Sequence, residues 1–140
     1  MTFAEKSAWI MSFALIVAGL LYSFAMVAAW QAIGHAPPPN IGFPIMLTVP
    51  IVAIAIFGHA FAAIGNPSNA NEPEDERARQ IVWRAGNLSG ALLGLFVMLM
   101  IGVFAIWGDG RVIFHALVLS LLISQLAEYL LTIWFYRRGV

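Results

Sequence analysis

The chain has 140 residues, the length of a single domain. Hydrophobic residues make up 61% of it and charged residues only 10%, whereas ordinary globular chains have roughly 45–50% and about 25%. So few charges could not cover a water-soluble domain of this size. The formal net charge is zero, which gives no basic excess for binding nucleic acid. The absence of cysteine excludes disulfides, thiolate metal sites and cysteine nucleophiles.

Four long apolar runs dominate the sequence. A helix needs about 20 mainly apolar residues to cross the roughly 30 Å hydrocarbon core of a bilayer. Residues 7–30, 43–64, 81–107 and 112–134 meet this requirement. The first run exceeds the apolar region of a secretory signal, which is about 7–15 residues. Because backbone groups in lipid must be satisfied within each segment, the sequence predicts an all-α, polytopic transmembrane four-helix bundle.

The connections predict one membrane domain, 1–140, built from two helical hairpins. Residues 31–42 carry no formal charge and contain the stiff, non-helical run Pro37, Pro38 and Pro39. Residues 108–111 read GDGR, a tight turn that makes the third and fourth helices antiparallel. Residues 66–80 form the long polar loop. Of the seven basic and seven acidic residues of the chain, six lie in this loop.

Basic residues near the helix ends predict the orientation. In a four-span arrangement six of the seven lie on one side, namely Lys6, Arg77, Arg79, Arg84, Arg137 and Arg138. Arg111 lies on the other side. Because Lys and Arg are enriched in cytoplasmic segments, we expect both termini and the charged loop to face the cytoplasm.

Polar residues at membrane depth are candidates for a functional site. Glu128 lies roughly 13 Å along the fourth helix from Arg137, in a stripe with Ser120, Ser124 and Thr132. We expect an inward-facing polar cluster whose members are Glu128, Arg84, His59, Asn87 and Gln125. One interpretation is a structural Arg84–Glu128 pair that holds the helices in register. The other is an ionisable site that exchanges protons or binds a cation or small ligand.

Glycines in the third run predict close packing. Gly86, Gly90 and Gly94 recur every four residues, and Gly102 continues the pattern. Small residues on one helix face let another backbone approach closely. The partner helix could belong to the same chain or to a second copy.

The sequence predicts no cofactor, metal site or catalytic residue. His59 and His115 fall near opposite ends of their helices, too far apart in depth to ligate one haem iron. His35 and His115 share the other side, but two histidines without a positioned carboxylate are weak grounds for a metal site. The sequence contains no HExxH, no phosphate-binding glycine loop followed by Lys and no GxSxG.

Several segments together resemble a set of small bacterial inner-membrane proteins that share a domain of unknown function. They are EKSAWIM at 5–11, Gly58-His59, DERARQIVWRAG at 75–86, SQLAEY at 124–129 and the ending FYRRGV. The signature of that family falls on Asp75, Glu76, Arg77, Ile81, Arg84 and Ala85. The resemblance implies a four-helix protein of the bacterial cytoplasmic membrane. It implies no established activity, cofactor or catalytic residue.

These features favour a non-catalytic membrane protein that associates with itself or with a membrane-protein partner. The loop residues Asp75, Glu76 and Arg77 are the expected docking surface. An alternative is a small transporter or proton- or cation-conducting protein that uses Glu128, Arg84 and His59. A third alternative is a haem or quinone redox protein.

Overall fold

The computed structural model describes residues 3–65 and 76–138. In these two ranges the chain is all-α and forms four helices: α1 (Phe3–Ile33), α2 (Gly42–Gly65), α3 (Glu76–Trp107) and α4 (Gly110–Arg138). Each helix is long and apolar enough to cross a membrane. The predicted all-α class, with four helices of membrane-spanning length, is therefore confirmed.

The predicted loop 66–80 needs correction at its end, because α3 already begins at Glu76. The segment ERARQ, residues 76–80, consists of good helix formers. Glu76 lies in the first turn, where a carboxylate suits the positive end of the helix dipole. The charged segment therefore contains the start of α3 as well as part of the loop. Asp75 lies outside the described residues.

The helix contacts place α1 and α4 at the centre. In the described parts of the chain the extensive contacts are α1 with α2, α1 with α4, and α3 with α4. Burial shows the same division. In the most apolar segment of each helix, the buried share is 28% for α1 and for α4, against 0% for α2 and 6% for α3. α2 and α3 are thus peripheral helices.

Neighbouring helices run antiparallel. Three contacts bring the starts of α1 and α3 together with the ends of α2 and α4: Ser7 with His59, Glu5 with Arg137, and Ile81 with Phe135. We call this end the basic end, because six of the seven Lys and Arg residues lie towards it.

Small side chains are buried on both central helices. Ala8, Ser12 and Ala18 are buried on α1, and Ser120 and Ser124 are buried on α4. Small residues let two backbones approach closely, which is how helices gain packing energy where the solvent is as apolar as they are. The predicted serine stripe of α4 therefore faces protein.

Gly58 brings α2 close to α1. A Cβ atom built on Gly58 would lie 2.5 Å from Cγ2 of Ile10, closer than two carbon atoms can pack. Gly19 differs, since its Cβ would meet Cδ1 of Leu122 at 3.8 Å, an ordinary van der Waals distance. The absence of a side chain is thus required at Gly58 and not at Gly19.

We expect Gly58→Ala to destabilise the protein, because Ile10 or the α2 backbone must shift to admit the methyl group. Overpacking of this kind costs about 1–3 kcal/mol. Thermal unfolding in mild detergent measures the loss, and Gly19→Ala is the matched control. Equal unfolding temperatures for the two variants would contradict the close approach of α1 and α2.

Candidate functional site

Glu128 is the centre of a small hydrogen-bonded group between α3 and α4. Its Oε2 atom accepts hydrogen bonds from Nε2 of Gln125 at 2.8 Å and from Oγ of Ser89 at 3.2 Å. The Ser89 hydroxyl also lies 3.0 Å from the carbonyl oxygen of Gly86, so its one proton is shared between two acceptors. A Cβ on Gly86 would lie 3.8 Å from Oε1 of Glu128. Gly86 thus belongs to the wall around this carboxylate.

The structure brings only part of the predicted polar cluster to Glu128. Gln125 reaches it, whereas Arg84 and Asn87 are exposed. The reason is helical phase. Ala85 and Ser89 are on the buried face of α3, and successive residues turn by about 100°. Arg84 and Asn87 therefore point away from α4.

The expected Arg84–Glu128 pair does not form. Within residues 3–65 and 76–138, no Lys, Arg or His side chain makes an ion pair with Glu128; its hydrogen bonds come from neutral groups. Ser89, which sequence reasoning missed, takes the place assigned to Arg84. In the sequence, Ser89 is distinguished only by its spacing of four residues from Ala85 and eight from Ile81, which places all three on one face of α3. This spacing becomes informative once that face is known to pack on α4.

His59 lies at a different interface, between α1 and α2. Its Nδ1 atom is 2.7 Å from the carbonyl oxygen of Ala55, and its Nε2 atom is 2.7 Å from Oγ of Ser7. A carbonyl can only accept, so Nδ1 carries the hydrogen. Nε2 of the neutral ring then accepts the Ser7 hydroxyl. His59 thereby connects the end of α2 to the start of α1.

His115 forms the third polar contact, between α4 and α1. Both His115 and Tyr22 are almost fully buried. Nε2 of His115 lies 3.0 Å from the carbonyl oxygen of Pro37, and Nδ1 lies 2.6 Å from the hydroxyl oxygen of Tyr22. Since the carbonyl accepts, Nε2 donates, and Tyr22 donates to Nδ1 of the neutral ring. The Phe43 ring packs nearly perpendicular to the imidazole, with centroids 4.9 Å apart.

This arrangement occupies both nitrogens that a metal would need. His115 therefore ties the proline-containing connection and α1 to α4, a role that no sequence pattern indicated. His35 lies on the exposed surface, with Nδ1 2.9 Å from the carbonyl oxygen of Ala36. The structure does not bring three metal-ligating side chains together anywhere in its described residues.

Asp109 caps α4 at the end opposite the basic end. Its Oδ1 atom accepts a hydrogen bond from the backbone N–H of Arg111 at 2.9 Å and lies 3.3 Å from Nε of Arg111. The backbone hydrogen bond, with the nearby guanidinium, lowers the pKa of the Asp109 carboxyl below its ordinary value. Arg111, the one basic residue expected on this side, is thus paired with an acid.

The three extensive helix interfaces each contain a hydrogen bond between side chains. Ser7 and His59 connect α1 to α2, Tyr22 and His115 connect α1 to α4, and Ser89 and Glu128 connect α3 to α4.

Comparisons with protein-family models, curated proteins and solved structures find no match to this chain. The family resemblance described above therefore stays a prediction. The geometry indicates three separate polar contacts rather than one shared ionisable site.

We expect Tyr22→Phe to destabilise the protein by about 1–3 kcal/mol, the cost of leaving a buried polar atom without its partner. Tyr129→Phe is the matched control, because no hydrogen bond of the Tyr129 hydroxyl is found among the described residues. Thermal or denaturant unfolding in detergent compares the two. If both losses were equal, Tyr22 would not hold His115 by hydrogen bonding.

Proposed function

We propose that the chain is a non-catalytic integral protein of the bacterial cytoplasmic membrane that associates with a second copy of itself. Its four helices would form two hairpins, α1–α2 and α3–α4, with both termini and the charged loop in the cytoplasm. Four apolar helices of spanning length support the membrane location. The six-to-one distribution of basic residues supports the orientation.

The outer face of α3 is the observation that carries self-association. Nothing lies within 4 Å of a Cβ built on Gly90 or on Gly94. Gly94 is nine residues beyond Ala85, which corresponds to about 180° around the helix, and Ala85 is buried. These glycines therefore face away from the rest of the chain. Packing within one copy, the first interpretation of the glycine pattern, does not account for them.

A face of small residues on a peripheral helix suits pairing with an identical helix. Large apolar side chains gain little from contact with one another in lipid, whereas glycines permit close contact between backbones. A closed pair through one shared surface is also the commonest form of homo-oligomer. The exposed first-turn residues Glu76 and Arg77, at the charged loop, would remain available to a cytoplasmic partner.

Transport through Glu128, Arg84 and His59 would require a shared site. His59 and Glu128 lie in different interfaces, and Arg84 is exposed. A proton path through these three residues would need them to approach one another. The observed hydrogen bonds of His59 and Glu128 instead connect pairs of helices, α1 with α2 and α3 with α4.

Cysteine crosslinking in native membranes tests self-association, and the cysteine-free chain provides a clean background. We expect Gly94→Cys to yield disulfide-linked dimers on mild oxidation. Ile56→Cys is the control, because Ile56 is 62% exposed on the other peripheral helix and should form few. Equal crosslinking at the two positions would indicate random collision.

A packing variant gives an independent measurement. Gly90→Ile places a branched side chain where the proposed contact needs close approach, and should reduce energy transfer between labelled copies in vesicles about tenfold or more. Its unfolding temperature should stay near that of the unchanged chain, since no atom lies near Gly90 in one copy. Unchanged energy transfer would rule out pairing through this face.

A further inference from the structure

An apolar groove runs between α1 and α2 near the basic end. It has a volume of about 520 Å³, within the range of sites that hold small molecules. Trp9 and Phe13 of α1 and Phe57 of α2 line it, together with Gly58. Ile10 also lines the groove and occupies the space beside Gly58 where a side chain would lie. Such a surface would receive a hydrocarbon chain.

A cation stands at one edge of this groove. The guanidinium of Arg137 lies 5.5 Å from the centroid of the Trp9 ring, within the range of a cation–π contact. The Arg137 side chain is 65% exposed. Its Nε atom lies 3.7 Å from Oε1 of Glu5, whose side chain is only 14% exposed. Because a guanidinium has five N–H donors, this one contact leaves donors for an anionic ligand.

We propose that the groove binds an anionic phospholipid, with an acyl chain against Trp9, Phe13 and Phe57 and the phosphate at Arg137. The proposal rests on the membrane location given under the proposed function. An apolar groove with a cation at its edge is complementary only to a molecule that has both a hydrocarbon chain and an anionic group. Free phosphate would gain nothing from the aromatic lining, and a lipid without net charge would gain less from the arginine.

The position of the site matches the expected membrane geometry. Six of the seven Lys and Arg residues lie towards this end, and basic sites between helices on the cytoplasmic side recognise anionic head groups. Trp9 is an amphipathic ring of the kind enriched at the membrane–water boundary. Arg138 makes a similar contact with Trp134, its guanidinium 4.5 Å from that ring.

Native mass spectrometry from mild detergent tests the proposal. Phosphatidylglycerol and phosphatidylcholine with identical acyl chains are added together, and the ratio of the two adducts on the monomer is measured. We expect phosphatidylglycerol to be retained preferentially. Arg137→Gln should lower this preference about fivefold, the equivalent of about 1 kcal/mol for one basic residue near anionic lipid. Arg111→Gln, at the opposite end, should leave it unchanged.

A second variant separates the groove from the charge. Phe57→Ala should reduce retention of both lipids and preserve their ratio, because Phe57 lines only the apolar part. Glycerol phosphate, which has the charge without the chains, should not compete. Unfolding temperatures measured in parallel show that the variants remain folded.

Three results would overturn the proposal: equal retention of the two lipids, a preference unchanged in folded Arg137→Gln, or effective competition by glycerol phosphate. Lipid adducts are counted on the monomer, whereas self-association is read from the dimer. Failure of one proposal is therefore distinguishable from failure of the other.

Discussion

Close contact between α1 and α4 over small side chains is the interaction on which the rest of the structure depends. α2 packs against α1, and α3 packs against α4. The peripheral helices are therefore positioned through the central pair. Many large apolar side chains are exposed on the described helices, and in lipid such surfaces would not drive helices together. Packing would therefore come from shape, and small side chains such as Ala18 on α1 and Ser124 on α4 are buried. The buried hydroxyl oxygens of Ser12 and Ser124 have no hydrogen-bond partner among the described residues, so small size is their evident contribution.

Polar side chains add specificity to this packing. Apolar small residues could slide along one another, whereas a hydrogen bond between two particular side chains fixes one register. Tyr22 and His115 do this for the central pair, with Pro37 drawn in from the connection. Buried networks of this kind specify a unique arrangement when every member is satisfied. The same principle applies to His59, His115 and Glu128, which lie at three different interfaces. One cluster at one depth would fix one pair of helices and leave the others free to slide.

The sequence predicted what depends on composition and failed where the outcome depends on which helices meet. Four apolar runs determine four helices, and an observer needs no tertiary information to find them. The face that each helix buries could not be predicted in the same way, because apolar residues lie on every face of these helices. Arg84 and Glu128 were expected to pair because both would be costly in lipid. The chain instead places Ser89 beside Glu128 and leaves Arg84 exposed. The role of His115 was not predicted, since nothing near it in sequence indicates Tyr22 as its partner.

Disulfide trapping between helices tests the central arrangement most directly. Cysteines at Gly19 and Leu122 should crosslink within one copy, because a Cβ atom on Gly19 would lie 3.8 Å from Cδ1 of Leu122, which makes the two positions neighbours at the contact of α1 with α4. Cysteines at Ile56 on α2 and Leu95 on α3 should not crosslink within one copy, since these two peripheral helices do not pack extensively against each other. Efficient trapping of the α2–α3 pair together with failure of the α1–α4 pair would contradict the account.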